Sequence, residues 1–192
     1  MPNYCDFTIK VRGLKQDIEK FEEWANADID DNGKYFVHGT RTIETERKIG
    51  TRVFECYIYD MDEEYSENEK INAALSGSCA WSVEGCFIHP RIPGVLNIYQ
   101  AAQMLHLDLE LYSCETGMEF SEHILIRNGS SQFETESYRE ICLSEVDSYE
   151  ELDDSDKQYI SEEKFNNYEN EYFVVCSWYD NYWGDWCWSE FN

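Results

Sequence analysis

The chain has 192 residues and a formal net charge of −25, with 40 acidic residues against 15 basic ones. Its length suits one domain with a hydrophobic core, and its aromatic content of 16% excludes the usual composition of a disordered acidic chain. The charge disfavours nucleic acid and anionic membranes as direct ligands, because proteins bind both through Lys and Arg.

The sequence does not have the pattern of a membrane or secreted protein. No apolar run approaches the roughly 18 residues that span a bilayer. Residues 1–6 carry neither a basic region nor an apolar segment, so we expect no secretory signal. We therefore expect a cytoplasmic protein without a membrane partner.

Apolar periodicity divides the first hundred residues into alternating strands and helices. Alternation with period two marks the strands, whereas Ile18, Phe21 and Trp24 have the spacing of a helix face. Asn97 has a side chain that favours a helix N-cap. The predicted elements are a strand at 4–12, a helix at 15–26, a strand at 51–60, an acidic helix at 63–75, a strand at 80–88 and a helix at 97–104.

A hairpin is the clearest feature of the second half of the chain. Residues 105–111 alternate apolar and polar side chains, and a turn around 115–117 leads into a predicted strand at 118–127. With a two-residue loop at 115–116, Leu111 faces Phe120 and the apolar faces of the two strands agree. A slip of one residue would turn every side chain to the wrong face, so the pattern predicts this register.

The remaining residues are predicted to extend the sheet and then to become acidic. Asn128-Gly129 is a hairpin turn dipeptide, which pairs the next strand with the preceding one. Ser161 precedes two glutamates and has the side chain of a helix cap. The predicted elements are a strand at 131–143, an exposed acidic loop or short helix at 147–156, a helical segment after Ser161 and a strand at 172–178.

Two short segments of the sequence match a pattern that is found in a known protein family. The chain opens with Pro2-Asn3-Tyr4-Cys5, then an alternating strand, Gly13 and a helix. Further on, Leu109-Glu110-Leu111-Tyr112-Ser113-Cys114-Glu115-Thr116-Gly117-Met118-Glu119-Phe120 places an apolar strand before Tyr, a Glu-x-Gly turn and Phe. Together, over residues 2–26 and 97–129, these segments resemble the YubB-type ferredoxin-like proteins of plasmids and phages, which usually have Trp at the position of Tyr4.

The resemblance implies a fold and an origin. The implied fold is α+β, with a ferredoxin-like antiparallel sheet and helices on one face, and the implied origin is a mobile element. It implies no catalytic residues. We expect a ferredoxin-like core at 1–130 and an acidic and aromatic C-terminal extension at 131–192, which packs on the same domain. The acidic region at 134–171 has no counterpart in the family.

Acidic residues are concentrated in the second half of the chain. Residues 1–100 carry 18 acidic and 11 basic residues, whereas residues 101–192 carry 22 and 4. Carboxylates on an exposed face can occupy the places of nucleic-acid phosphates in a basic groove. The alternative is a solvated face that only keeps the protein soluble. The candidate partner-binding carboxylates are Glu134, Glu136, Glu140, Glu145, Asp147, Glu150, Glu151, Asp153, Asp154, Asp156, Glu162 and Glu163.

Aromatic residues crowd the end of the chain, within residues 178–192. Trp and Tyr beside acidic residues suit the anchors and charged rim of a protein-binding surface. The alternative is a terminal hairpin that packs its rings on the sheet. The candidate anchors are Trp178, Tyr179, Tyr182, Trp183 and Trp186.

The polar face of the predicted hairpin groups four side chains that can bind metals. His106, Asp108, Glu110 and His123 lie on this face, and the predicted register sets His123 opposite Asp108. Two histidines and two carboxylates could hold Zn or Mn. The alternative, which we prefer, is an ordinary Asp–His pair on a half-solvated sheet face, so we predict no metal site.

Catalytic signatures are not found in the sequence. It contains no P-loop, no dinucleotide-binding glycine motif, no nucleophile elbow and no H-E-x-x-H motif. The eight cysteines include no C-x-x-C pair, so we predict reduced thiols that are mostly buried. We therefore predict a protein that is not an enzyme and has no cofactor.

A binding function fits these observations best. The leading prediction is an acidic phage or mobile-element protein that inhibits a basic nucleic-acid-binding host protein by mimicking phosphate charge. The predicted partner is a CRISPR effector or another defence nuclease, and nucleic acid is not bound directly. The alternatives are a binding module that acts through the aromatic C-terminus and a metal-dependent enzyme at the 105–127 hairpin.

Overall fold

The structure is a computed structural model that describes residues 3–26, 49–63, 65–66, 68–90, 95–144, 146–168 and 172–176. The strands are β1 (Tyr4–Gly13), β2 (Val53–Met61), β3 (Ile71–Ala80), β4 (Asp108–Glu115), β5 (Phe120–Arg127), β6 (Ser130–Ser137), β7 (Arg139–Cys142) and β8 (Tyr172–Val175). The helices are α1 (Lys15–Ala25), α2 (Ile98–Met104), α3 (Asp154–Lys157) and α4 (Glu162–Asn166), with a π-helical turn at Glu84–Ile88 and a 3-10 turn at Tyr149–Glu151.

The fold is α+β, as the sequence predicts, and is built on an antiparallel sheet. Six strands pair in the order β2-β3-β1-β4-β5-β6, and β7 and β8 form a separate two-stranded sheet. Helices α1 and α2 contribute side chains to the same core as the six-stranded sheet. Within the described part of the chain, no helix is long and apolar enough to cross a membrane.

The first strand and helix form where the periodicity places them. Phe7, Ile9 and Val11 alternate along β1 and are fully buried. On α1 the residues Ile18 and Phe21, three apart, are fully buried against this face. Burying each such side chain contributes about 1.5–3 kcal/mol, so one apolar face holds α1 on the sheet.

The second helix begins at the predicted cap. The Asn97 side chain accepts a hydrogen bond from Gln100 N at 2.8 Å, and the Gln100 side chain accepts one from Asn97 N at 3.0 Å. This capping box satisfies two backbone donors at the helix start. Its buried residues Ile98, Ala101 and Ala102 then face the core.

The predicted helix at 63–75 and the predicted strand at 80–88 are both wrong. Residues Ile71–Ala80 form β3, which lies between β1 and β2 and forms a ladder with each. The strand is buried on both faces, so small apolar residues follow one another and imitate a helical stripe. Residues Glu84–Ile88 form the π-helical turn instead, because a buried carboxylate from β5 binds the backbone amides at its start.

The predicted hairpin exists, but its register is displaced by four residues. Leu111 faces Ile124 instead of Phe120, and His123 faces Tyr112 instead of Asp108. An even displacement keeps apolar side chains on the core face, so alternation could not detect the error. The connecting turn spans 116–119 rather than two residues, and the Glu115 carboxylate stabilises it by accepting hydrogen bonds from the turn amides.

The next hairpin is confirmed, and the strand after it divides in two. Asn128 and Gly129 have positive φ values of 51° and 80° and connect β5 to β6, with Arg127 opposite Ser130. Both residues adopt the backbone that a tight hairpin turn requires. The predicted strand at 131–143 is interrupted at Tyr138, after which β7 leaves the main sheet to pair with β8.

Gly77 lies where three strands meet without room for a side chain. A Cβ atom there would come within 2.2 Å of the Glu55 carbonyl oxygen and 2.6 Å of Phe7 Cζ. We expect Gly77→Ala to lower the free energy of unfolding by about 1–3 kcal/mol, measured by urea denaturation. Gly85→Ala is the control, because only the movable Ser82 hydroxyl lies near its Cβ position, and an equal loss in both variants would contradict the prediction.

Candidate functional site

The described residues between 139 and 176 form a small acidic lobe that has its own apolar core. Strands β7 and β8 pair, and helices α3 and α4 lie between them in sequence. Ser161 caps α4 as predicted, since its side chain accepts a hydrogen bond from Lys164 N at 3.2 Å. The buried residues of this core are Ile141, Leu143, Leu152, Ile160 and Phe173. The acidic segment is therefore folded around apolar side chains.

Most predicted partner-binding carboxylates lie on the surface of this lobe or on the neighbouring strand β6. Glu136 and Asp156 are half-buried. Glu145 and the aromatic candidates Trp178, Tyr179, Tyr182, Trp183 and Trp186 lie outside the described residues. The exposed candidates are Glu134, Glu140, Asp147, Glu150, Glu151, Asp153, Asp154, Glu162 and Glu163.

The basic side chains of the acidic lobe are engaged in contacts within the fold. Arg139 Nη2 lies 2.6 Å from Asp156 Oδ1, and Arg139 Nη1 lies 3.6 Å from a Glu119 carboxylate oxygen. Lys157 Nζ donates a hydrogen bond to the Glu150 carbonyl oxygen at 2.8 Å. Lys164 Nζ lies 4.2 Å from the centre of the Phe173 ring. These bases support the fold of the lobe, and the exposed carboxylates outnumber them.

A second polar group lies on the sheet face opposite the helices. His123 Nε2 lies 3.0 Å from Glu110 Oε1, and the Tyr112 hydroxyl donates a hydrogen bond to the same oxygen at 2.6 Å. The Tyr112 and His123 rings stack with centres 4.5 Å apart. All three side chains are buried. The cluster joins β4 to β5 through a satisfied polar network.

Of the four metal candidates, only Glu110 and His123 come together. Asp108 is held by Arg12, whose Nη2 donates to Asp108 Oδ2 at 2.9 Å, and by Asn128 N at 3.0 Å. His106 is exposed in the turn after α2 and has a positive φ of 53°. Among the residues that the structure describes, no group of three or more His, Cys, Asp or Glu side chains could hold a metal ion. The register that brought His123 to Asp108 is wrong, so the metal hypothesis loses its geometric basis.

The groups around Asp108 lower its pKa. Burial acts to raise the pKa of Asp108, but the hydrogen bonds from Asn128 and Arg12 and the charge of Lys70 outweigh it. The pKa therefore lies below its ordinary value of 3.8. Asn128 and Arg12 together hold the Asp108 carboxylate ionised, and its ion pair with Arg12 links the end of β1 to the start of the neighbouring central strand β4.

Glu122 is a buried carboxylate that the sequence analysis did not identify. Its Oε2 accepts hydrogen bonds from Val83 N at 2.7 Å and Ser113 Oγ at 3.0 Å, and its Oε1 accepts one from Glu84 N at 2.9 Å. Burial raises the pKa of Glu122 and outweighs these hydrogen bonds. The sequence did contain a signal for this residue. Glu122 is two residues before Ile124, so on a strand its carboxylate lies on the same core-facing side as that apolar residue.

The described cysteines are free thiols, and one of the fully buried ones, Cys5, lies next to Glu122. Cys5 faces Cys79 across β1 and β3, and both are fully buried. Cys5 Sγ lies 3.8 Å from Glu122 Oε2. Cys86 donates a hydrogen bond to the Ala80 carbonyl oxygen at 3.1 Å. Burial raises the pKa of Cys114 to about 12, so that thiol is a poor nucleophile at neutral pH.

A pocket of about 460 Å³ lies between α2 and the turn that connects β5 to β6. Several of its polar side chains already have partners within the fold: Asn97 and Gln100 cap α2, and Asp108 binds Arg12. Ala102, Leu107 and Ile126 supply its apolar wall. The satisfied polar groups give the pocket no evident ligand chemistry.

No family model, curated protein or solved structure matches the chain. The function must therefore be argued from the chain's own residues. Of the sites described above, the acidic lobe combines exposure, order and an excess of one charge, and these three properties suit recognition of a macromolecule of opposite charge.

Proposed function

We propose that the protein is a non-enzymatic inhibitor from a phage or other mobile element. It binds a basic nucleic-acid-handling host protein in the cytoplasm, such as a CRISPR effector or another defence nuclease. The observation that carries the proposal is the acidic lobe, whose exposed carboxylates sit on a folded core while its bases are engaged internally. The aromatic C-terminus remains an alternative docking element.

Charge mimicry follows from the physics of nucleic-acid binding. A nucleic-acid groove presents Lys and Arg side chains that displace counterions from phosphates. Carboxylates on a folded surface can pair with the same side chains and deny them to the nucleic acid. The long-range negative field raises the rate of encounter, and a preformed surface has little conformational entropy to lose. Affinity should therefore depend strongly on salt.

We also infer a ferredoxin-like core of the YubB type. The elements β1, α1, β2, β3, α2 and β4 follow one another in the order of that fold, and their strands lie in the spatial order β4-β1-β3-β2. This order supports the inference, together with the two matching sequence segments. A mobile-element origin is in turn the setting in which an inhibitor of host defence nucleases is useful.

Neutralising four exposed carboxylates of the acidic lobe tests the proposed function. The variant E150Q/D153N/E162Q/E163Q removes four charges from the surface without removing a buried group. We expect its Kd for a CRISPR effector nuclease to rise about 10–100-fold, because solvent-exposed charge pairs contribute about 0.2–1 kcal/mol each and every 1.4 kcal/mol or so changes Kd tenfold. Fluorescence anisotropy at increasing NaCl, with and without competing double-stranded DNA, measures this change.

The matched control removes the same number of charges elsewhere. E19Q/E23Q/D60N/E63Q neutralises four exposed carboxylates on α1 and around the end of β2. If both variants weaken binding equally, the effect comes from net charge and not from the lobe. Binding by the wild-type protein that ignores both salt and competing DNA would refute mimicry and favour the aromatic C-terminus.

A further inference from the structure

Exposed tyrosines lie on the sheet face opposite the helices, away from the acidic lobe in sequence. Tyr4 on β1 is 59% exposed and Tyr57 on β2 is 49% exposed. The centres of the Tyr4 and Phe54 rings are 5.0 Å apart. Large aromatic side chains are costly to leave in water, and grouped ones mark interaction surfaces.

The strand register places two carboxylates between these tyrosines. Asp6 on β1 and Glu55 on β2 both pair with Ser78 of the intervening strand β3, so all three lie in one row on the same face. Tyr4 lies in the adjacent row, opposite Ala80, and Tyr57 lies in the adjacent row on the other side, opposite Ser76. We call Tyr4, Asp6, Glu55 and Tyr57 the tyrosine face.

On this face the side chains of the middle strand, β3, are small, so they project less than those of β1 and β2 on either side. Ser76 lies between Thr8 and Tyr57, and Ala80 lies beside Tyr4. Both Asp6 and Glu55 are exposed. A group entering from solvent could therefore reach the carboxylates and rest against an aromatic ring at the same time.

The two carboxylates lack a basic partner within the described part of the chain, where neither forms an ion pair. Although Asp6 is exposed, partial burial of its carboxyl group and then the neighbouring charge of Glu55 raise the pKa of Asp6. Ser78 Oγ, 3.5 Å from Glu55 Oε1, is a neutral contact. Lys10, on the same face of β1, lies over the Tyr112 ring at 5.7 Å. A cation from outside would relieve the repulsion between the carboxylates.

We propose that the tyrosine face binds an arginine side chain of the basic partner, which deepens the proposed function and rests on it. The guanidinium group is planar and presents five donors, so it can bridge two carboxylates while its plane stacks on a tyrosine ring. A lysine ammonium is a compact, strongly hydrated charge and stacks less well. The phosphates of a nucleic acid would be repelled by Asp6 and Glu55, although its bases could stack on the rings.

Two peptides that differ only in their basic residue test this proposal. One contains eight Arg-Gly repeats and the other eight Lys-Gly repeats, and fluorescence anisotropy measures their Kd values for the full chain. We expect the wild-type protein to bind the arginine peptide about five-fold more tightly. Tyr57→Ala should abolish this preference, and Tyr57→Phe should retain it because the ring remains. Tyr159→Ala, at a similarly exposed tyrosine of the acidic lobe, should leave the preference unchanged.

The outcomes separate this inference from the proposed function. The lobe variant E150Q/D153N/E162Q/E163Q should weaken both peptides equally and keep the arginine preference, since only Coulomb attraction is reduced. Equal wild-type affinity for the two peptides, or a preference that survives in Tyr57→Ala, overturns the inference while leaving the lobe result intact. Binding of a twelve-nucleotide single-stranded RNA that Tyr57→Ala abolishes also overturns it and assigns the rings to bases. Thermal melts verify that each variant is folded.

Discussion

Replacing Glu122 with alanine should lower the free energy of unfolding by about 3 kcal/mol at pH 7. The substitution leaves the buried amides of Val83 and Glu84 without their acceptor, and each unsatisfied buried donor costs about 1–3 kcal/mol. The same carboxylate joins the start of the π-helical turn to Ser113 on β4, so its loss loosens two elements. Equilibrium unfolding in urea, followed by tryptophan fluorescence, measures the change.

Glu84→Ala is the matched control for this experiment. Glu84 is an exposed carboxylate at the same turn, and its removal should change stability by less than about 0.5 kcal/mol. If Glu122→Ala is equally mild, water or a rearranged turn satisfies the amides, and the carboxylate is not the reason that residues 84–88 depart from a strand.

The raised pKa of Glu122 can be tested separately with the variant Glu122→Gln. Because burial raises its pKa in the folded state, the folded protein binds this proton more tightly than the unfolded chain, whose carboxyl titrates near 4.5. The resulting stabilisation is fully present below pH 4.5 and is lost as the pH rises through the raised folded pKa. The stability difference between wild type and Glu122→Gln should therefore shift in favour of wild type on acidification. A difference that does not change with pH would contradict the raised pKa.

Replacing Phe173 with alanine should unfold the acidic lobe while leaving its charge unchanged. Phe173 is buried between Tyr168, whose ring centre is 5.4 Å away, and the core formed with Ile141 and Ile160. A buried Phe→Ala substitution costs about 3–5 kcal/mol, which is large for a core of five buried residues. Hydrogen exchange should show lost protection in β7 and β8 and retained protection in β1, β3 and β4.

The binding of this variant distinguishes an ordered mimic from a simple polyanion. If carboxylates must be held in place, Phe173→Ala should weaken effector binding at least ten-fold, because ordering the lobe again consumes binding free energy. Phe165→Ala, at a half-buried position on the same core, is the milder control. Undiminished binding by an unfolded lobe would mean that charge alone is sufficient. Loss of hydrogen-exchange protection throughout the chain would mean that the lobe does not unfold separately from the main sheet.

Local chemistry made several elements predictable. The period-two alternation of β1, the apolar stripe of α1, the Asn97 cap and the Asn128-Gly129 turn each depend on residues that are close in sequence. The same is true of Ser161 at the start of α4. In each case the signal and the structure it specifies involve the same few residues, so distant parts of the chain did not alter the outcome.

Long-range pairing decided what the sequence analysis missed. Strand β3 has a sequence compatible with a helix, and only its position between β1 and β2 makes it a strand. The tyrosine face depends on that position, because Asp6 on β1 and Glu55 on β2 lie in one row only through their pairing with Ser78 of β3. A site assembled from three strands therefore could not be predicted while one of the three was assigned as a helix.

By itself the sequence determined the net charge and its concentration in the second half of the chain, because these follow from composition, and it placed β1 and α1 through short-range periodicity. Only the tertiary structure decided the hairpin register, the burial of Glu122 and the separate core beneath the acidic lobe. The physical reason is that alternation repeats every two residues, so displacements by two or four satisfy it equally. Turn geometry and distant hydrogen-bond partners select among them.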